Sequence, residues 1–336
     1  DTFARKFRYG VEHVAIAKAA DVVLIAPASA NVIGKIANGI ADDMLTTTVM
    51  ACPCTKIIAP AMNHNMYHNP IVQDNISRLA SYGYVIAEPE RGMLANGDMG
   101  DGRMPSEDIL LEYILRETAH EKDLEGKRIL VTAGATREKI DPVRYITNHS
   151  TGKMGYAIAK AAMRRGADVT LVSGICAIKP PMFVNKIDAV SAQDMFEAVK
   201  AHAAESDIII KAAAVADYRP KNPADSKIKK SDGSMSIELE RTVDILDWLG
   251  KNRREGQFLC GFSMETDNMI ENSRAKLIKK NADMIAANSL RQEGAGFGTD
   301  TNVLTLITSD NVTELEIMSK YEAANALLDA IIKIQG

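Results

Sequence analysis

Short apolar runs alternate with amphipathic stretches along most of this chain, and that pattern predicts its architecture. Fully buried parallel strands read as brief continuous apolar segments. Three come first, at residues 22–26, 56–59 and 84–87. Helical spacing lies between them, at 31–40 and 71–81, and follows them at 107–118, where Ser106 stands as an N-cap before acidic residues. A second series of strands is predicted at 128–132, 168–172, 207–210, 258–261, 284–287 and 304–308. Its helices are predicted at 153–165, 192–204, 270–280 and 321–334. Segments 304–309 and 313–318, separated by Asp310, Asn311 and Val312, suggest a hairpin.

Strand–helix alternation of this kind predicts an α/β protein with mainly parallel sheets flanked by helices. The polar segment 119–126 reads as a boundary between two blocks, and 336 residues suit two domains. In the first block the strands run into unusual loops: Pro27-Ala-Ser-Ala-Asn31, Pro60-Ala-Met-Asn63 and the glycine-rich stretch 92–103. Ligands of open α/β sheets bind outside the carboxyl ends of the strands, so these loops make a candidate site.

Composition narrows the function. Hydrophobic content of 46% and charged content of 25% are ordinary for a globular protein. A net charge of -4, with both signs mixed along the chain, argues against nucleic acid as the main partner. Cys52, Cys54, Cys176 and Cys260 lack paired zinc-site spacing and read as reduced thiols of a cytoplasmic protein. No apolar run approaches a membrane span and no signal peptide opens the sequence. Asp1-Thr-Phe-Ala-Arg-Lys-Phe7 reads as the interior of a domain rather than a natural start.

In the second block, Val131-Thr-Ala-Gly134 leads through a long loop to Asn148-His-Ser-Thr-Gly-Lys-Met-Gly155, where a helix begins. A strand, a glycine-bearing loop and a helix N-terminus can cradle a phosphate, because free backbone amides point at the anion. The motif is neither GxGxxG nor GxxxxGK[ST]. It equally suits a simple cap in which Ser150 or Thr151 satisfies backbone amides. Next, Ala212-Ala-Ala-Val-Ala-Asp-Tyr-Arg-Pro220 places a carboxylate after an apolar strand, and Lys227-Ile-Lys-Lys230 follows. A lysine-bearing loop can close over phosphates, although alone it reads as a solvated basic turn.

Taken in order, Thr132-Ala-Gly-Ala-Thr-Arg-Glu138, 141–155, 213–220, 227–230 and Gly261-Phe-Ser-Met-Glu-Thr266 resemble bacterial phosphopantothenate–cysteine ligase across 123–336. The resemblance implies a Rossmann-like domain. In it CTP, with Mg²⁺ on the triphosphate, activates the 4′-phosphopantothenate carboxylate as an acyl-cytidylate, and the cysteine amine displaces CMP. By position, Asn148 would orient the acyl-cytidylate and Lys227 would stabilise charge. Ser150, Gly152, Ala212, Ala213, Asp217, Lys227, Val243, Asp244, Ile245, Phe262, Lys276 and Lys280 fall where that family holds CTP. Val243 replaces a proline of the family pattern. Without the resemblance, Phe262 reads as core, and Lys276 and Lys280 as a solvated helix face.

The first block resembles the flavin-dependent cysteine decarboxylases through Pro27–Asn31, Ala41-Asp-Asp-Met-Leu45, Pro60–Asn63 and Gly97-Asp-Met-Gly-Asp-Gly-Arg-Met104. Together the two blocks resemble a bifunctional phosphopantothenoylcysteine decarboxylase and phosphopantothenate–cysteine ligase. Residues 1–120 would form a flavodoxin-like FMN domain, its first βαβ unit lying outside this sequence. The implied substrate is 4′-phosphopantothenoylcysteine, which loses CO₂ with FMN as redox partner. His13 would be the catalytic histidine and Asn63 would grip the substrate carboxylate. Ser29 and Asn31 would contact FMN and a neighbouring subunit. Gly97, Asp98, Gly100, Gly102 and Arg103 would belong to a substrate clamp. The family's clamp carries a cysteine acid where this chain has Asn96, so the final reduction is expected to stall. Homo-oligomers of decarboxylase trimers joined by ligase dimers are expected. Two alternatives stay open: a ligase on a non-catalytic flavin-binding scaffold, and an NAD(P)-dependent oxidoreductase suggested by 131–155.

Overall fold

The computed structural model describes residues 12–94, 97–229, 235–265, 267–289 and 298–335. The chain divides into two compact units, with Glu121 ending the first and Lys122 opening the second.

The first unit runs α1 (Glu12–Ala19), β1 (Val22–Ala28), α2 (Ala30–Ala37), α3 (Met44–Ala51), β2 (Thr55–Pro60), α4 (His64–Tyr67), α5 (Pro70–Ser81), β3 (Val85–Ile86), β4 (Glu90–Met93), β5 (Met99–Arg103) and α6 (Glu107–Thr118). The apolar runs pair in parallel in the order β1-β2-β3, with Val22 opposite Thr55 and Ile57 opposite Val85. Alternate residues of β2 face opposite ways. Ile58 packs with Ile25, Ile33 and Leu79, while Ile57 packs with Leu110 of α6. The helix predicted at 31–40 stops at Ala37, because Asn38 caps it and Gly39 turns at φ 71°. The glycine-rich stretch is an antiparallel hairpin, β4 against β5, rather than an irregular loop. Ser106 does occupy the N-cap position of α6, but its side chain makes no capping hydrogen bond. Glu107 and Asp108 in the first turn still complement the helix dipole.

The second unit begins with β6 (Arg128–Ala133), β7 (Arg137–Lys139), β8 (Tyr145–Thr147), α7 (Lys153–Arg164), β9 (Asp168–Ser173), β10 (Asn185–Asp188), α8 (Ala192–Ala203), β11 (Ile208–Lys211), β12 (Tyr218–Pro220) and β13 (Leu239–Arg241). It continues with α9 (Ile245–Asn252), β14 (Phe258–Glu265), α10 (Met269–Lys279), β15 (Met284–Ser289), β16 (Thr301–Asn302), β17 (Leu304–Ile307), β18 (Val312–Glu314), β19 (Met318–Ser319) and α11 (Lys320–Gln335). Eight strands form one sheet in the order β10-β9-β6-β11-β14-β15-β17-β18. Pairing is parallel from β10 to β15 and antiparallel at the β17–β18 edge.

Both faces of this sheet are covered, which explains the continuous apolar runs. Ile129, Val131, Ile208 and Ile210 pack with Ile158 of α7 and Leu327 of α11. Leu130, Ile209 and Leu259 face the other way, onto Met195 and Val199 of α8 and Leu249 of α9. From β6 the order runs outward to β9 and β10 on one side and to β11, β14 and β15 on the other. The gap between β6 and β11 is therefore a topological switch point, where such sheets bind ligands.

Candidate functional site

At that switch point the second unit opens a cleft of about 260 Å³. One wall is the N-terminus of α7. Gly152 caps this helix in the left-handed region at φ 80°, and an added Cβ would stand 2.4 Å from Cys176 Sγ. At Gly155 a Cβ would meet Ala133 Cβ at 2.5 Å, so only glycine lets the first turn lie directly against β6. The opposite wall is the loop leaving β11. Thr132 Oγ1 accepts from the Ala213 amide at 3.1 Å, and Thr136 Oγ1 accepts from the Ala216 amide at 3.0 Å.

Of the residues expected to hold nucleotide, Ser150, Gly152, Ala212, Ala213, Asp217, Phe262 and Lys276 line this cleft. Lys276 donates to the Phe262 carbonyl at 2.8 Å, and burial pushes its ammonium below the usual lysine range. Asn148 is exposed and donates to the Ala214 and Val215 carbonyls, each at 3.3 Å. Val243, Asp244, Ile245, Lys227 and Lys280 do not line the cleft. Ile245 is 2% exposed and belongs to the core, and Asp244 is the N-cap of α9. Lys280 lies 2.8 Å from Asp244 and 3.2 Å from Asp247. Those two carboxylates outweigh the effect of burial and raise the Lys280 pKa. It is therefore an anchored ion-paired lysine rather than a solvated one.

Lys227 is exposed, but its neighbour is tied down. Asp141 accepts from the Ile228 amide at 3.1 Å and from Arg144 Nε at 2.9 Å, while Arg144 Nη2 donates to the Ile228 carbonyl at 2.9 Å. The Arg144 hydrogen bond, with three backbone amides, holds the Asp141 carboxyl far below the usual range. Lys230 lies outside the described residues.

Sequence reasoning does not single out four other cleft residues: Lys153, Lys211, Asn288 and Lys320. Lys211 carries a legible signal, because it ends the apolar run Ile208–Ile210 on a central strand. Burial, with the nearby Lys276 charge, pushes its ammonium down to about 8. Lys320 donates to the Thr301 carbonyl at 2.9 Å and Lys153 pairs with Asp300 at 2.7 Å; neither contact is visible in local sequence.

In the first unit the loop after β2 lies beside the end of β1, with the Ala61 amide donating to the Ala28 carbonyl at 3.0 Å, and meets the β4–β5 hairpin. Ser29 caps α2, with Oγ accepting from the Val32 amide at 3.4 Å, and Asn31 is exposed in its first turn. Asn63 caps α4, with Oδ1 accepting from the Asn65 amide at 2.9 Å. Met62 donates to the Gly102 carbonyl at 3.0 Å, which docks the hairpin on this loop. Gly97 turns the hairpin at φ 85°, with Asp98 exposed beside it, and Arg103 ends β5. Asn96 lies outside the described residues. His13 sits in the first turn of α1, and its Nδ1 is buried with no hydrogen-bond partner among the described residues. An orphaned ring nitrogen of this kind fits a ligand carrying polar ring atoms.

Two family models match. Residues 1–119 match the model described as Flavoprotein, and 124–334 match the DNA/pantothenate metabolism flavoprotein C-terminal domain. The coenzyme A biosynthesis bifunctional protein CoaBC of Bacillus subtilis (strain 168) is 48% identical over 335 residues, 98% of this chain and 82% of that protein. The chain belongs to the CoaBC family. It is thus an enzyme of coenzyme A biosynthesis that combines a ligase with a decarboxylase. The Escherichia coli (strain K12) protein of the same name is 41% identical over 95% of this chain and 80% of its own length. The crystal structure of the C-terminal domain of a CoaBC protein superposes with a TM-score of 0.54 at 48% identity, covering 63% of this chain and 96% of that one. The segment that admitted a reading as an NAD(P)-dependent oxidoreductase lies inside the second matched region. Among the described residues no helix is long and apolar enough to cross a membrane. All four cysteines are free.

Proposed function

We propose that the second unit joins 4′-phosphopantothenate to cysteine at the expense of CTP, through an acyl-cytidylate, and that residues 1–120 and 123–336 are the decarboxylase and ligase domains. The observation that carries this reading is the cleft at the β6/β11 switch point, walled by the α7 N-terminus and by Lys153, Lys211, Lys276 and Lys320. Backbone amides and four ammonium groups suit a triphosphate. Asp217 is the carboxylate on the cleft wall, and Mg²⁺ is held by one or two carboxylates together with substrate phosphates.

The chemistry follows from what a carboxylate lacks. It is a poor electrophile at neutral pH, and conversion to a mixed anhydride gives it CMP as leaving group. Asn148, held at the cleft rim by two carbonyls, has an amide suited to orienting the acyl group. Lys227, beside the anchored Ile228, would neutralise the negative charge that builds as the cysteine amine attacks. Ser150, Gly152, Ala212, Ala213, Phe262 and Lys276 would contact the nucleotide. Val243, Asp244, Ile245 and Lys280 would support it from behind.

In the first unit, Ser29 and Asn31 would hold FMN, which would supply a hydride acceptor and donor to the reacting carbon, and His13 would be the catalytic histidine beside it. Asn63 would bind the carboxylate of 4′-phosphopantothenoylcysteine. The hairpin residues Gly97, Asp98, Gly100, Gly102 and Arg103 would cover that substrate. Asn96 stands where an acid is needed and has no proton to give, so CO₂ release would outrun formation of reduced product. Self-association is part of this reading, with exposed Val14, Ile16, Leu45 and Met50 on α1 and α3 as contact candidates. A cytoplasmic setting agrees with the free thiols.

The deciding experiment is pyrophosphate release from CTP, with Mg²⁺ and 4′-phosphopantothenate, with and without cysteine and with ATP in parallel. Turnover sustained only with cysteine and faster with CTP is expected. Absence of release with either nucleotide from folded protein would remove the ligase reading. Absence of CO₂ from 4′-phosphopantothenoylcysteine would favour the scaffold reading of the first unit.

A further inference from the structure

Within the first unit, two histidines and a carboxylate converge without a role in the chemistry above. His64 opens α4 and His68 caps its end, so the pair is one helical turn apart and shares a face. Their ring centroids are 4.4 Å apart. Asp101 reaches both from β5, with Oδ2 2.9 Å from His68 Nε2 and 3.8 Å from His64 Nδ1. One ligand atom from each of the three residues falls within a span of 4.8 Å.

Backbone geometry fixes this meeting. The glycines on either side of Asp101 allow the hairpin to dock at closest approach. A Cβ at Gly100 would stand 2.9 Å from His64 Cβ, and one at Gly102 would stand 2.3 Å from the Met62 carbonyl oxygen. The Asp101 amide donates to His64 Nδ1 at 3.2 Å, a long contact that an ion could replace. The three side chains are 39–49% exposed, so an ion can enter and complete its shell with water. Two imidazoles with one carboxylate suit borderline divalent cations better than Mg²⁺ or Ca²⁺, which prefer oxygen throughout. A tetrahedral ion with ligands at about 2.0–2.2 Å sets them roughly 3.4 Å apart, so only small side-chain rotations are required.

We propose that His64, His68 and Asp101 form a site for a divalent transition-metal cation of the zinc or cobalt class, which ties the β4–β5 hairpin to α4. The inference does not depend on the reaction assigned to the first unit. Its test is titration of the tag-free full chain with CoCl₂, followed by visible absorption, and with ZnCl₂ by calorimetry. One ion per chain is expected, with His68→Ala and Asp101→Asn each weakening affinity at least about tenfold. The metal-free His68→Ala chain should keep the wild-type far-UV circular dichroism and both the melting temperature and the protease resistance of the first unit, which shows that the variant is folded. Unchanged affinity in both variants would place the ion elsewhere, for example on the cysteines, and would overturn the proposal. So would an absence of uptake at micromolar metal.

Discussion

Lys211 shows how a single residue carries both a cost and a function. Its ammonium is buried at the end of a central strand, where it donates to the Ala213 carbonyl at 3.2 Å with Lys276 nearby, and its pKa falls from 10.5 to about 8. Below pH 8 the folded state holds a proton there at a penalty, whereas the unfolded chain holds it freely. Between pH 8 and about 10.5 the unfolded chain binds more protons at this position, so Lys211 makes stability rise with pH across that window. Lys211→Met should therefore be more stable than the parent at pH 7, with the difference in melting temperature shrinking as pH climbs to 10. The same variant should raise KM for the nucleotide, because one of four cleft ammonium groups is gone. A melting difference that does not change with pH would refute the linkage.

Asp141 acts through a neighbour. Its carboxylate is 2% exposed and holds the backbone beside Lys227 through Ile228 and Arg144. Asp141→Asn keeps the shape but loses the charge that Arg144 pairs with. The expected result is a fall in kcat of about ten- to a hundredfold as Lys227 loses its placement, with KM for CTP changed far less. Since the Asp141 carboxyl is held below its ordinary range, its stabilising contribution is full above the usual carboxylate pKa. It is lost on acidification, so the parent should converge with the variant in urea midpoint as pH drops below about 4.

At the scale of elements, the apolar runs were legible wherever burial on both faces made them continuous. The six predicted strands of the second block all form, and helices 107–118 and 153–165 match their observed spans to within a residue. What local pattern misses is set by tertiary contact. The β4–β5 hairpin is glycine-rich because it docks on Met62 and His64, and α3 carries three successive threonines that resemble strand rather than helix. The cleft was half legible for the same reason. Motif residues at the α7 N-terminus, Lys153 among them, and after β11 can be read in order, but Asn288 and Lys320 reach it by folding alone. The closest approach of two elements gives a direct test. At Gly155→Ala the new methyl meets Ala133 Cβ at 2.5 Å and the Thr132 carbonyl at 2.9 Å, so α7 must move off β6. Urea denaturation should show a loss of about 1–3 kcal/mol, and CTP affinity should fall with it.

At the scale of the whole molecule, one chain carries two activities on two separate sheets. On the proposed reading, the amide made by the second unit is the substrate of the first, so a defect in the last step of the pair governs the output of both. Asn96 is that step's candidate. A thiol near its ordinary pKa can give up a proton during catalysis, whereas a carboxamide cannot near neutral pH. Placement of a general acid is worth roughly 10²–10⁴ in rate. Asn96→Cys should therefore raise formation of 4′-phosphopantetheine by at least about a hundredfold while leaving pyrophosphate release unchanged. The informative measurement is the ratio of CO₂ released to reduced thiol product, with FMN present. In the parent that ratio should exceed one, because decarboxylation proceeds without the final proton and each CO₂ not matched by product leaves its electron pair on one of the added FMN molecules. In Asn96→Cys it should fall to one. A ratio of one in both proteins would mean that another acid serves the step and that Asn96 is no obstacle.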